Sequence, residues 1–168
     1  FSDGTVRNDT TIERAYNKLR RRFYEVTHHQ RPELNLLGLR EPTIYGTKNY
    51  AALVAFCENA CREAGFGCEV FQSNHEGAIV DKIQAAYGVF DGIVINPAAY
   101  THTSVAILDA LKAVAIPAVE VHLSDVDARE PFRHVSFAGL ACFTRFTGLG
   151  FEGYRQAVLA LKDRLNAG

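Results

Sequence analysis

Residues Gly92–Asn96, GIVIN, form an unbroken apolar run that ends in asparagine and is closed by Pro97. A strand with one face in water alternates polar and apolar residues, whereas a strand buried on both faces does not. Such a strand belongs in a sheet with cover on either side, and the rest of the chain supplies that cover. Lys48–Ala64 has helical periodicity and is ended by Gly65, which suits a left-handed terminal turn. Ser73 and Glu76 have capping-box spacing and open a helix predicted to run through Tyr87. Further helices are predicted at 103–114 and Gly153–Asn166.

Between these helices lie the remaining strand candidates: FYEVTHH at 23–29, Cys68–Gln72, Ala118–Leu123 and Ala141–Thr147. Five strands alternating with helices through short connections predict an α/β fold of three layers. The sheet is a doubly wound parallel one of flavodoxin-like order. Upstream, Thr10 and Glu13 have capping-box spacing, and Ile12, Ala15, Tyr16 and Leu19 follow a helical period, which predicts an amphipathic helix over 11–21. Its basic face (Arg14, Lys18, Arg20, Arg21, Arg22) is either a solvated surface or a docking face. The expected division is an N-terminal extension, 1–22, and a single catalytic domain, 23–168.

The totals exclude several classes. A hydrophobic share of 48% supports a sizeable core and argues against disorder. A formal net charge of −1 gives no general attraction to nucleic acid or to an anionic membrane. No apolar run approaches the roughly 18 residues needed to span a bilayer. The start, FSDGTVRNDT, is polar and carries no secretory pattern, so the expected location is the cytoplasm. None of the four cysteines (Cys57, Cys61, Cys68, Cys142) sits in a C-x-x-C pair, so free thiols are expected rather than zinc ligands.

In doubly wound sheets ligands bind beyond the carboxyl ends of the strands, and the polar residues that matter converge there. Asn96 ends one predicted strand, and His102 follows within NPAAYTHTS. These groups suit a polyhydroxylated or anionic ligand near a helix start, or simple helix capping by Thr101 or Thr103. In Glu120-Val121-His122 the period of two places carboxylate and imidazole on one face of a strand. A carboxylate beside an imidazole orients it and stabilises its charged form, as a general acid requires, and a structural pair has the same pattern. Arg129 and Arg133 in AREPFRH suit carboxylate or hydroxyl recognition, or a surface pair. The segment Gly38–Thr47, GLREPTIYGT, has a glycine near each end and carries Arg40 and Tyr45. A phenol is a poor base at neutral pH, but a nearby guanidinium favours its phenolate. The segment is either a mobile lid carrying a base or an ordinary loop.

Gly148-Leu149-Gly150-Phe151-Glu152-Gly153 has the spacing of a dinucleotide-binding turn, but only 15 residues follow it. No acidic residue about 20 positions on is available to hold a ribose. Tight packing of helix against strand explains these glycines better.

Taken together, LNLLG-x-REP-x-IYG at 34–46, NPAAYTHTSVAI-x-DAL at 96–111, EVHLS at 120–124, AREPFRH at 128–134 and GLG-x-x-GY at 148–154 resemble the type II 3-dehydroquinate dehydratases. The resemblance spans roughly residues 30–166. It implies the flavodoxin-like sheet and a homododecamer built from trimers. It also implies dehydration of 3-dehydroquinate to 3-dehydroshikimate by anti elimination through an enolate, in the shikimate or quinate pathway, with no metal and no cofactor. By resemblance Tyr45 is the base that removes the C2 proton, with Arg40 lowering its pKa. His122 is the acid that protonates the departing C1 hydroxyl, held by Glu120. The Leu123 and Ser124 backbone amides bind the substrate carboxylate, and Asn96, His102 and Arg133 hold ring hydroxyls. Asp109 corresponds to an acidic residue that closes a neighbouring subunit's site.

The chain departs from the family pattern in places. Arg31-Pro32-Glu33 stands where the family has Gly-Pro-Asn, and that asparagine holds the water that stabilises the enolate. An ionised Glu33 there would repel developing negative charge, a loss of the type often worth about 3 kcal/mol; a protonated one would donate a hydrogen bond. Leu108 replaces an arginine and Asp125 an asparagine. The alternative reading is therefore a catalytically impaired or repurposed member that binds a related cyclic polyol carboxylate. A flavin-binding reading rests on fold analogy alone.

Overall fold

The structure, a computed structural model, describes residues 22–28 and 49–167. The helix predicted over 11–21 lies outside the described residues, and the division of the chain at residue 22 therefore stays a proposal.

Strands β1 (Arg22–His28), β2 (Gly67–Ser73), β3 (Gly92–Asn96), β4 (Ala118–His122) and β5 (Thr144–Thr147) form one sheet in the order β2-β1-β3-β4-β5, all neighbours parallel. This is the flavodoxin-like order, in which the chain reverses direction across the sheet between β1 and β3. The register sets Thr27 opposite Asn96, Ile95 opposite Glu120 and His122 opposite Thr147. The carboxyl ends of the strands therefore lie side by side.

Four helices cover the sheet: α1 (Tyr50–Ala64), α2 (Glu76–Ala85), α3 (Val105–Val114) and α4 (Glu152–Asn166). Alternation along the strands assigns them to two sides. Val94, Val119 and Val121 pack with Leu53, Cys57 and Cys61 of α1 and with Tyr154, Val158 and Leu161 of α4. Ile93, Ile95 and Ala118 pack with Ile79 and Ile83 of α2 and with Ile107 and Leu111 of α3. All five residues of β3 are buried, as the GIVIN run predicts. Each of these aliphatic side chains contributes roughly 1.5–3 kcal/mol through its burial.

Helix ends follow local chemistry. Asn49 Oδ1 accepts the Ala52 N–H at 2.9 Å and starts α1. Gly65 ends it at φ 88°, with its own N–H bonded to the Arg62 carbonyl and that of Phe66 to the Cys61 carbonyl. The capping box predicted at Ser73 does not form. Helix α2 begins at Glu76 after His75, so Glu76 is the first helical residue rather than the third, and Ser73 Oγ accepts the His75 N–H in a local turn. The helix also stops at Ala85, short of Tyr87.

Helix α3 starts later than predicted because residues Ala98–His102 take a 3-10 turn first. Neither Thr101 nor Thr103 caps it; Ser104 Oγ accepts the Ile107 N–H at 2.9 Å. Strand β5 likewise starts at Thr144, since Ala138–Ala141 form a 3-10 turn and Cys142 follows it outside the strand. Cys57 and Cys61 are buried, and Cys68 and Cys142 are partly buried. Among the described residues, no helix is long and apolar enough to cross a membrane.

Candidate active site

Strand β4 is buried along its whole length, yet two of its five residues are polar. Glu120 and His122 occupy the face that Ala118 presents to α3, where the alternation would otherwise place core side chains. Glu120 has no solvent exposure and His122 is 4% exposed. A buried carboxylate is tolerated only when its oxygens are satisfied. Here His122 Nε2 donates to Glu120 Oε1 at 2.8 Å. Ser136 Oγ lies 2.9 and 2.8 Å from the two carboxylate oxygens, and the Thr101 hydroxyl donates to Oε1.

The charge follows from this arrangement. Burial is the largest single influence on the Glu120 carboxyl and opposes ionisation. The hydrogen bond and charge of His122, with the hydroxyls of Thr101 and Ser136, together outweigh it and hold the group below the usual carboxylate range. Glu120 is thus an anion bonded to the His122 ring, which fixes the ring's orientation.

His102 stands at the end of the 3-10 turn after β3. Its Nδ1–H donates to the Val135 carbonyl at 2.7 Å. Burial lowers its pKa, the Val135 bond opposes that, the charges of His122 and Arg133 lower it further, and Glu120 raises it. The neutral ring with Nδ1 protonated leaves Nε2 as an acceptor for a hydroxyl. His122, Arg133 and Glu120 thus all lie within electrostatic reach of His102.

Asn96 is buried at the end of β3, but its amide works inside the protein. Nδ2 donates to the Tyr154 hydroxyl at 2.9 Å, and Oδ1 accepts the Ala98 N–H at 3.1 Å. Ala98 sits at φ 47°, a conformation that L side chains rarely adopt. The Asn96 brace holds the chain there as it turns from strand to 3-10 helix.

Arg133 lies in the segment after β4, paired with Glu130 at 2.8 Å and stacked at 5.2 Å on the Phe132 ring. Arg129 is exposed. Leu123 and Ser124 follow β4 directly, and the Gly150 N–H bonds to the Leu123 carbonyl while that of Gly148 bonds to the His122 carbonyl. The glycine run therefore clamps the end of β4, and an added Cβ at Gly153 would press on Val121 Cγ1 at 3.2 Å.

The structure thus brings Asn96, His102, Glu120, His122, Leu123, Ser124 and Arg133 to the carboxyl ends of β3 and β4 and the segments just beyond. Asp109 is exposed on α3, while Leu108 is buried. Asp125 Oδ1 accepts the Asp127 N–H in a local turn. Tyr45, Arg40 and Glu33 lie outside the described residues. Among the described residues, no three His, Cys, Asp or Glu side chains converge to hold a metal ion.

Three contributors are not legible in the sequence. Thr101 reads as a possible helix cap, and Ser136 is 16 positions from the carboxylate it binds. Gly139 is a third: an added Cβ would lie 2.7 Å from both Glu120 Oε2 and Ser136 Oγ. Burial, with help from the Glu120 charge, pushes the Cys142 thiol far up, so this neighbour is an inert thiol.

Comparison with known proteins converges on one family. Residues 25–162 match the family described as Dehydroquinase class II. The chain is 54% identical over 134 residues to a 3-dehydroquinate dehydratase of Lachnospira eligens, covering 79% of this chain and 91% of that protein. It is 58% identical over 127 residues to catabolic 3-dehydroquinase 1 of Aspergillus terreus, covering 76% and 84%. The type II dehydroquinase crystal structure from Butyrivibrio crossotus superposes with a TM-score of 0.79 at 46% identity, covering 84% of this chain and 97% of that one. The flavodoxin-like sheet order, the polar cluster at its carboxyl edge and these matches have one explanation: the chain belongs to the class II dehydroquinase family.

Proposed function

We propose that the protein is a 3-dehydroquinate dehydratase, a lyase that removes water from 3-dehydroquinate to give 3-dehydroshikimate. The observation that carries this reading is the fully buried Glu120 paired at 2.8 Å with His122, at the carboxyl end of β4, in a chain of this family. The Tyr45 phenolate, favoured by Arg40, removes the C2 proton and leaves an enolate. His122 in its imidazolium form then gives a proton to the C1 hydroxyl, which departs as water as the carbon–carbon double bond forms. Positioned proton donors and acceptors of this kind are each worth about 10²–10⁴-fold in rate.

In this reading the substrate carboxylate sits on the Leu123 and Ser124 amides, and the ring hydroxyls meet Asn96, His102 Nε2 and Arg133. Asn96 spends one N–H and its oxygen inside the protein and offers its second N–H. Arg133 exchanges Glu130 for substrate. The reaction uses no cofactor. Residues 23–168 act as the catalytic domain, in the cytoplasm, within a homododecamer of trimers; the exposed Asp109 carboxylate supports a role across a subunit boundary.

The deciding experiment follows the conjugated enone of the product by its ultraviolet absorbance. Folded protein with no turnover above background removes the proposal. Tyr45→Phe abolishes turnover and leaves binding of a substrate analogue intact; a variant that keeps most of the rate puts the base elsewhere.

A further inference from the structure

We propose that Ser136 is a positioning residue for this reaction: its hydroxyl holds Glu120 in place behind His122 and ties the Arg133 segment to the same carboxylate. The inference rests on the dehydratase reading above. Its ground is the direction of the hydrogen bonds. Ser136 Oγ accepts the Gly139 N–H at 2.8 Å, which occupies a lone pair and turns its proton away from the backbone. The carboxylate oxygens of Glu120 lie at 2.9 and 2.8 Å, and Thr101 Oγ1 at 2.9 Å. Thr101 gives its own proton to Glu120, and the Ser136 proton goes to the same carboxylate, the charged acceptor within reach on both of its oxygens.

The segment around Ser136 is fixed at two further points. The Val135 carbonyl accepts from His102, and the Phe137 N–H donates to the Thr101 carbonyl at 2.7 Å. Three consecutive residues thus join the segment after Arg133 to the turn after β3 and to Glu120. Gly139 leaves room for this, since a Cβ there would collide with both Ser136 Oγ and Glu120 Oε2. One hydroxyl therefore sits at the junction of the acid pair, the hydroxyl-binding histidine and the arginine segment.

The groups that face Glu120 come from every neighbouring element: His122 on its own strand, Thr101 and His102 from the 3-10 turn, Ser136 from the segment after β4, and Cys142 ahead of β5. Of these, Ser136 alone bonds to both carboxylate oxygens. Without it, the carboxylate loses a charge-assisted bond and the freedom of the pair increases.

The test combines kcat and KM at neutral pH with a carbon-13 NMR titration of the Glu120 carboxyl for wild type, Ser136→Ala and Ser136→Thr. Ser136→Ala lowers kcat about tenfold, changes KM about twofold or less, and moves the Glu120 midpoint upward by about one pH unit. Ser136→Thr keeps the hydroxyl and restores the midpoint. If Ser136→Ala does not fold, Ser136→Cys fills the same space with a poor donor and gives the same displacement. A folded Ala or Cys variant with wild-type kcat or an unmoved midpoint overturns the inference, as does a folded Thr variant as impaired as Ala. Wild-type protein without turnover refutes the dehydratase reading instead. In that event carbon-13 NMR titration of the Glu120 carboxyl still decides: its midpoint rises in Ser136→Ala if the hydroxyl acts as stated, and is unmoved if it does not.

Discussion

Replacing Glu120 by glutamine changes one oxygen to an amide nitrogen, keeps the volume and removes the charge. In the folded protein that carboxylate accepts from three side chains: His122 at 2.8 Å, Ser136 at 2.9 and 2.8 Å, and Thr101. A hydrogen bond to a charged group is worth about 1.5–3 kcal/mol net. Glutamine retains a single acceptor oxygen, and its N–H₂ faces groups that also donate. If the whole loss of the His122 bond falls on the proton-transfer step, kcat drops roughly 10- to 150-fold. KM stays nearly constant, because Glu120 is fully buried and acts on substrate only through His122.

The same substitution carries a pH signature. Glu120 has a folded-state pKa below the ordinary 4.5, so its ionised form contributes stability that is present above pH 4.5 and is lost as pH falls through the lowered value. The difference in stability between wild type and Glu120→Gln is therefore constant near neutrality and shrinks in acid. Steady-state kinetics at neutral pH and urea unfolding at a neutral and an acidic pH measure both effects. A folded Glu120→Gln enzyme within about threefold of wild-type kcat would falsify the role given to the pair.

Gly139→Ala puts a methyl group 2.7 Å from Glu120 Oε2 and Ser136 Oγ, so stability falls by about 1–3 kcal/mol in urea unfolding and turnover falls with it. Normal turnover in that variant would show that the carboxylate is free to shift. Asn96→Ala removes its hydrogen bonds to the buried Tyr154 hydroxyl and to the Ala98 N–H. At about 0.5–1.5 kcal/mol each this lowers the thermal midpoint by roughly 2–12 °C, and a midpoint within a degree of wild type refutes the brace.

The parts of the fold legible in the sequence are those where one periodicity dominates. GIVIN reads directly as a strand because burial on both faces leaves no alternation to mistake, and AVEVH reads as one through its period of two. Element ends are not legible where short 3-10 turns intervene, as before α3 and β5, since a 3-10 turn has the composition of either neighbour. The Glu120–His122 pair was visible because period-two spacing is local. Ser136 and Gly139 were not, because their link to Glu120 exists only after the segment beyond β4 folds back over the sheet. The sequence around Asn96 points only to a ligand, because nothing local reveals that Tyr154, 58 positions away, holds it.

That Asn96–Tyr154 contact has a consequence for how the chain must be kept whole. The final helix supplies the hydroxyl that steadies the bend leading to His102, so it is an organ of the pocket as well as an outer wall. A fragment cut after the last strand would retain every reacting side chain assigned above and still lose the scaffolding of the turn they depend on.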